Sequence, residues 1–149
     1  MYYNKKHVNK IIDKNIGIIS RYSHTYADEM LKKFKLNKTQ AEILLFIYEN
    51  ENMSLAQINR YFLLNKATIT KNIKYLIKLD LVTWCSISSD KRKKIMLITE
   101  KGRIVVPEII KVLAQWDQSL TLGLTKEEIE SLSELLYSIT KRITENEDY

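Results

Sequence analysis

From about Asn4 to Leu31 apolar side chains recur at Val8, Ile11, Ile12, Ile18, Ile19, Tyr22, Tyr26 and Met30. Spacings of three and four predict one long amphipathic helix, which Gly17 weakens without ending. A stripe of that length packs either on its own domain or on a second copy. The pattern resumes in LNKTQAEILLFIYENEN, where Asn37 is placed to cap a helix with Gln40 at its third position. Ala41, Ile43, Leu44, Ile47 and Tyr48 form its stripe, and the polar ENEN is a loop. SLAQINRYF repeats the start signal: Ser54 and Gln57 make a capping box ahead of Leu55, Ile58 and Phe62. A short break, LLN, leads into KATITKNIKYLIKLD, capped by Asn65 and closed by Asp80.

That last helix has two unlike faces. With residues 100° apart, Ile69, Ile73, Leu76 and Ile77 fall on one side. Ala67, Lys71, Lys74 and Lys78 fall opposite, flanked by Thr68, Thr70 and Tyr75. Surface helices commonly set Glu against Lys one turn away, yet no acid occurs from Lys66 to Leu79. Two short capped helices joined by a tight break, the second apolar behind and basic in front, make a helix-turn-helix pattern.

Beyond Asp80 the period changes. LVTWCSI and KIMLIT are β-rich runs on either side of SSDKRK, an antiparallel hairpin with a charged tip. Thr99 caps a helix from about Glu100 to Leu120, with Ile104, Val105, Ile109, Ile110, Leu113 and Trp116 as its stripe and a kink expected at Pro107. Thr125 with Glu128 starts a last helix through Ile129, Leu132, Leu136, Ile139 and Ile143, and the acidic ENEDY tail is expected to fray.

Charge sharpens this picture. Residues 54–103 hold 11 Lys and Arg against 3 Asp and Glu, a net of +8, while the rest, 13 against 15, stands at −2. The surplus belongs to one segment, which favours a polyanion footprint over a merely solvated face. The 3 Gly and 1 Pro leave little material for turns and lean the chain towards helices. No apolar run approaches the ~20 residues of a membrane-spanning helix, and MYYNKKHVNKIIDKN lacks the apolar core of a signal peptide. A single cysteine forms no internal disulfide, so the expected address is the cytoplasm, with no membrane partner.

In order and spacing these motifs resemble the multiple-antibiotic-resistance regulator (MarR) family. The resemblance is carried by Leu36-Asn37-Lys38-Thr39-Gln40, by Asn65 through Lys71 with Leu76, by Leu81-Val82, by Asp90-Lys91-Arg92 and by Ile98-Thr99-Glu100-Lys101-Gly102. It implies one domain over residues 1–149, mainly α with a small β-hairpin wing. A winged helix-turn-helix at about 36–103 would be flanked by dimerisation helices at about 4–34 and 104–146. It implies a homodimer on a pseudo-palindromic double-stranded DNA operator, by default a repressor relieved by a small-molecule effector. Arg92 would enter the minor groove, oriented by Asp90, with Lys91, Lys93 and Lys94 on phosphates. A narrow minor groove does concentrate negative potential, and a neighbouring carboxylate fixes a guanidinium before binding. Lys66, Thr68, Thr70, Lys71 and Lys74 would serve the major groove. The chain departs from the family at Asp80, where Gly is usual, and at Trp84, where Arg is common.

Enzymatic chemistry finds no footing. His7 and His24 lie on the first helix, Cys85 lies in a strand, and Gly17, Gly102 and Gly123 are isolated, so neither a nucleophile–base pair nor a phosphate-cradling loop nor a metal set is formed. No cofactor is called for. A lone Cys85 reads as packing more readily than as an oxidant sensor. For the implied effector pocket, at the junction of dimer helices and DNA lobe, Tyr22, Tyr26, Phe46 and Trp116 are the aromatic candidates; each also fits as core. The rival reading is a winged-helix module whose basic face docks on an acidic protein. Such a dock has no need of Asp90 beside Arg92.

Overall fold

The elements of the computed structural model, which describes residues 12–62, 64–87 and 90–145 (backbone alone at 87 and 90–93), follow the expected order. They are α1 (Ile12–Leu31), a 3-10 turn (Lys32–Phe34), α2 (Lys38–Glu49), α3 (Leu55–Phe62), α4 (Lys66–Lys78), β1 (Val82–Ile87), β2 (Asp90–Ile98), α5 (Glu100–Leu120) and α6 (Lys126–Glu145). The start of the first helix at Asn4, with His7, Val8 and Ile11, lies outside the described residues, as do Leu63 and the tail from 146. The chain divides into two compact units, residues 1–116 and 117–149.

Local hydrogen bonding explains where the helices begin. The Asn37 side chain accepts from the Gln40 amide at 2.9 Å, and Gln40 Oε1 accepts from the Asn37 amide at 3.0 Å. Ser54 and Gln57 reciprocate in the same way, Asn65 Oδ1 accepts from the Thr68 amide at 2.8 Å, and Thr125 and Glu128 form the box that opens α6. Each cap is worth about 1 kcal/mol by satisfying donors with no partner inside the helix.

Helix α4 ends on a left-handed residue. Asp80 has φ 58°, its amide donates to Ile77 O at 2.9 Å and the Leu81 amide donates to Leu76 O at 3.0 Å. Aspartate tolerates this region better than most side chains, so the turn that usually takes Gly forms here with Asp.

In the first unit, α2 buries Ala41, Ile43, Leu44 and Ile47 against α3 Ile58 and α4 Ile69, Ile73 and Leu76. Tyr48, expected on the α2 stripe, is exposed. Each fully buried Ile or Leu contributes about 1.5–3 kcal/mol of apolar transfer. β1 and β2 pair antiparallel, Val82 with Ile98, Trp84 with Met96 and Ser86 with Lys94. A further bridge joins Ser54 to Ile95, and the Met96 amide donates to Met53 O at 2.8 Å, so the residues before α3 add a third edge to the wing.

Two expectations are corrected. The hairpin's basic run is not confined to a tip: β2 begins at Asp90 and carries Lys91 to Lys93 within it, with the register shifting between Ser86 and Ile87. Charged residues do not by themselves end a strand, so the apolar pattern understated its length. In α5 the buried face is Gly102, Val106, Ile109 and Val112; Ile104 is 70 % exposed and Ile110 is also exposed. The helix has apolar residues on more than one side, and the spacing alone did not choose between them. α5 continues through Pro107 as one element.

Candidate nucleic-acid interface

The outward face of α4 is built by what lies behind it. Ile69, Ile73 and Leu76 fix one side in the core, which turns Lys66, Ala67, Lys71, Lys74 and Lys78 to the exterior. Lys66, Ala67, Thr70, Lys71 and Lys74 line an open groove of about 640 Å³. Thr70 Oγ1 donates to Lys66 O at 2.7 Å, which steadies its side chain and leaves the hydroxyl oxygen free to accept. Thr68 is half-buried beside this groove.

Elsewhere the helices pair their lysines one turn away: Lys111 with Glu108, Lys126 with Glu130, Lys141 with Glu145. Among the described residues no carboxylate pairs with Lys66, Lys71, Lys74 or Lys78. Among the described residues the positive charge of this face is therefore uncompensated, which suits a phosphate-binding surface.

The far end of α4 is clamped. Lys101 Nζ donates to Leu79 O at 2.6 Å, Thr99 Oγ1 donates to Asp80 O at 2.7 Å and Tyr75 Oη donates to Lys35 O at 2.9 Å. Thr99 Oγ1 also accepts from the Gly102 amide at 3.0 Å, capping α5. The Ile98–Gly102 motif thus joins the wing, the end of α4 and the start of α5 at one point.

On the wing, Asp90, Lys91, Arg92 and Lys93 have their backbone in β2, while their side chains lie outside the described residues. Lys94 is described: its ammonium sits 3.7 Å from the centroid of the Trp84 ring. The two are diagonal neighbours across the ladder, because Trp84 faces Met96 and Lys94 faces Ser86. Trp84, 44 % exposed, therefore holds a cation over its ring at the surface of the wing. Such a contact at an exposed site is worth about 0.5–1 kcal/mol.

The four aromatic candidates do not meet in one place. Tyr26 and Trp116 stack with centroids 5.5 Å apart. Phe46 instead packs on Tyr61 at 4.2 Å and Phe62 at 5.5 Å. Tyr22 is exposed and belongs to neither group. Cys85 is half-buried with a free thiol, and His24 is exposed on α1 with Nδ1 2.9 Å from Ser20 O. No group of His, Cys, Asp and Glu among the described residues is arranged to hold a metal ion, and no described helix is long and apolar enough to cross a membrane.

Sequence reasoning missed Asn72, buried among the isoleucines of α4. Its signal was available: a polar residue on an otherwise apolar helical face.

The MarR family model matches residues 34–93, from the end of the 3-10 turn through the basic run of β2. A MarR protein from Peptoclostridium difficile DA00132 is 28 % identical and superimposes with a TM-score of 0.87, over 97 % of this chain and 95 % of that one. A structure of the transcriptional regulator SlyA gives 26 % identity and a TM-score of 0.85, over 91 % and 95 %. The HTH-type transcriptional regulator TcaR of Staphylococcus aureus (strain Newman) is 24 % identical over 136 residues, 90 % of this chain and 89 % of that protein.

The chain is similar to MarR-family regulators, in sequence over residues 34–93 and in fold over most of its length.

It has the winged helix-turn-helix fold of the transcription regulators it resembles.

Proposed function

We propose that this MarR-like chain is a homodimeric repressor that binds a pseudo-palindromic operator and is released by a small ligand. The basic face of α4, with which no described carboxylate pairs, carries the reading. Thr68, Thr70, Lys71 and Lys74 face the major groove in this account, with Lys66 at its entrance. Arg92, oriented by Asp90, reads the minor groove, and Lys91, Lys93 and Lys94 meet phosphates. Two-fold symmetry sets the half-sites about one helical turn, ~10 bp, apart. Support for a second copy comes from apolar side chains left exposed on α1 (Ile12, Ile16, Ile19) and on α5 (Ile104), and from α6, which buries none of its residues.

Support for an effector is a groove of about 260 Å³ where the end of α1, the end of α4 and the start of α5 approach one another. Phe34, Leu79, Leu81 and Val105 make it apolar, and Lys33, Lys35 and Lys101 make it cationic. Tyr22, Tyr26, Phe46 and Trp116 are further candidates for the same role, Tyr26 and Trp116 lying against each other.

The test is selection of binding sites from random duplex DNA by the purified protein at ~150 mM salt, where weak non-specific attraction is largely suppressed. An inverted repeat is the expected product. Binding that is sequence-blind and salt-labile would instead favour docking on an acidic protein. With the operator in hand, Arg92→Ala is expected to weaken operator binding by about 1–3 kcal/mol and to relax specificity at the minor-groove positions. Lys93→Ala should lower affinity evenly for all sequences and reduce the salt slope by about 1. Equal losses on operator and random DNA for the Arg92 variant would rule out its minor-groove role.

A further inference from the structure

A polar residue interrupts the apolar face of α4. Asn72 lies among Ile69, Ile73 and Leu76 and is only 9 % exposed. Leaving a buried amide unsatisfied costs about 1–3 kcal/mol, and Leu or Ile at this position would avoid the risk altogether. The partners of Asn72 are specific. Its Nδ2 donates to Thr68 O at 3.0 Å, one turn back on the same helix, and its Oδ1 accepts from Gln40 Nε2 at 3.3 Å.

Gln40 is itself held in place. Its Oε1 accepts from the Asn37 amide while its own amide donates to Asn37 Oδ1, so the side chain that reaches Asn72 is locked into the cap of α2. That cap is anchored in turn to α1, because Asp28 Oδ1 accepts from the Lys38 amide at 2.6 Å. A continuous set of bonds runs from α1 through the start of α2 to the first turns of α4.

We propose that Gln40 and Asn72 are a positioning pair that fixes the rotation and axial register of α4, so that Thr68, Thr70 and Lys71 meet base edges in a single arrangement. The proposal rests on the reading of α4 as the helix that enters the major groove. Apolar side chains alone hold a helix without direction, since several small rotations bury Ile69, Ile73 and Leu76 about equally well. A hydrogen bond is directional: sliding α4 by about 1 Å takes the contact with Gln40 out of range. Buried polar groups are known to specify one packing arrangement at some expense in stability, and here the arrangement is that of the reading helix.

Two variants separate positioning from bulk packing. Gln40→Glu keeps the oxygen that accepts from the Asn37 amide, and hence the cap, but removes the donor to Asn72. Turning the Asn72 amide over to donate to the new carboxylate forfeits its bond to Thr68 O. Asn72→Leu replaces the other half with an apolar side chain of the same branching and heavy-atom count. Both variants are expected to fold, Asn72→Leu with a thermal midpoint no lower than the parent's. Each should lose about tenfold in the ratio of affinity for the selected operator over random duplex, the weight of one base-edge contact. The double variant should lose no more than either single one, as expected for a coupled pair. A second readout needs no DNA: backbone amides at 69–72 should exchange with solvent faster in both variants, with those at 76–78 unchanged.

Unchanged operator preference together with unchanged exchange would overturn the proposal. Losses that simply track a falling thermal midpoint in both variants would also overturn it, assigning the pair to stability alone. If the parent protein selects no operator, the operator reading fails by itself, and the exchange measurement still decides whether the pair orders α4.

Discussion

Gly102→Ala is expected to lower stability by about 3 kcal/mol, seen as a fall of about 10 °C in the thermal midpoint at fixed protein concentration. A Cβ at this position would lie 2.3 Å from Leu81 O and 2.7 Å from Ile98 Cγ1. The first neighbour is backbone and cannot rotate aside. It is also occupied, because Leu81 O accepts from the Thr99 amide at 3.1 Å while the Leu81 amide closes the end of α4 on Leu76 O. Making room therefore means moving the junction on which α4, the wing and α5 all depend, and DNA affinity should fall along with stability. Gly17→Ala is the control. There the new Cβ would meet, among the described residues, only Arg21 Nη1 at 3.5 Å, so helix propensity decides and the change should stabilise by up to about 1 kcal/mol. The same substitution at two helical glycines is thus expected to have opposite signs. A Gly102→Ala protein as stable as its parent, by thermal or urea denaturation, would refute this account of the junction.

Gly102 also shows where the sequence stops being legible. As a letter in Ile-Thr-Glu-Lys-Gly it supported a family resemblance, but nothing near it in the chain announced that Leu81 O would pass so close. Features set within four residues were readable: the caps at Asn37, Ser54, Asn65, Thr99 and Thr125, and the left-handed turn at Asp80. Their physics is local. The face of α5 was not readable, because Ile104 and Ile110 are as apolar as Val106 and Ile109, and the close approach of Gly102 to Leu81 is what turns the latter pair inward. The bridge from Met53 and Ser54 to β2 was missed for the same reason, since it joins residues some forty positions apart. At the candidate interface the acid-free face of α4 was visible from one wheel. The Lys94–Trp84 contact required the hairpin register, which no spacing rule supplied.

The second large effect concerns α6. Leu132→Glu together with Leu136→Glu is expected to convert a dimer into monomers and to weaken operator binding by about a thousandfold, the loss of simultaneous engagement of two half-sites. The helix carries Ile129, Leu132, Leu136, Ile139 and Ile143 along one stripe, yet none of its residues is buried, and Leu135, Leu136, Tyr137 and Ile143 are exposed. A helix of 20 residues gains little stability from propensity alone and depends on packing of its apolar side. A second copy is the proposed cover. Each leucine buried at such an interface contributes about 1.5–3 kcal/mol, and two-fold symmetry presents four of them per dimer, so the double substitution removes about 6–12 kcal/mol. That is comparable to the whole association free energy of a nanomolar dimer, about 12 kcal/mol, before the cost of burying carboxylates is added. Sedimentation equilibrium of parent and variant, followed by titration on the selected operator, provides the measurement. A monomeric parent would refute the homodimer. A variant that stays dimeric would move the interface away from the α6 stripe, to the exposed isoleucines of α1 and α5. A monomeric variant that still binds a full operator as tightly as the parent would show that the two half-sites are read independently.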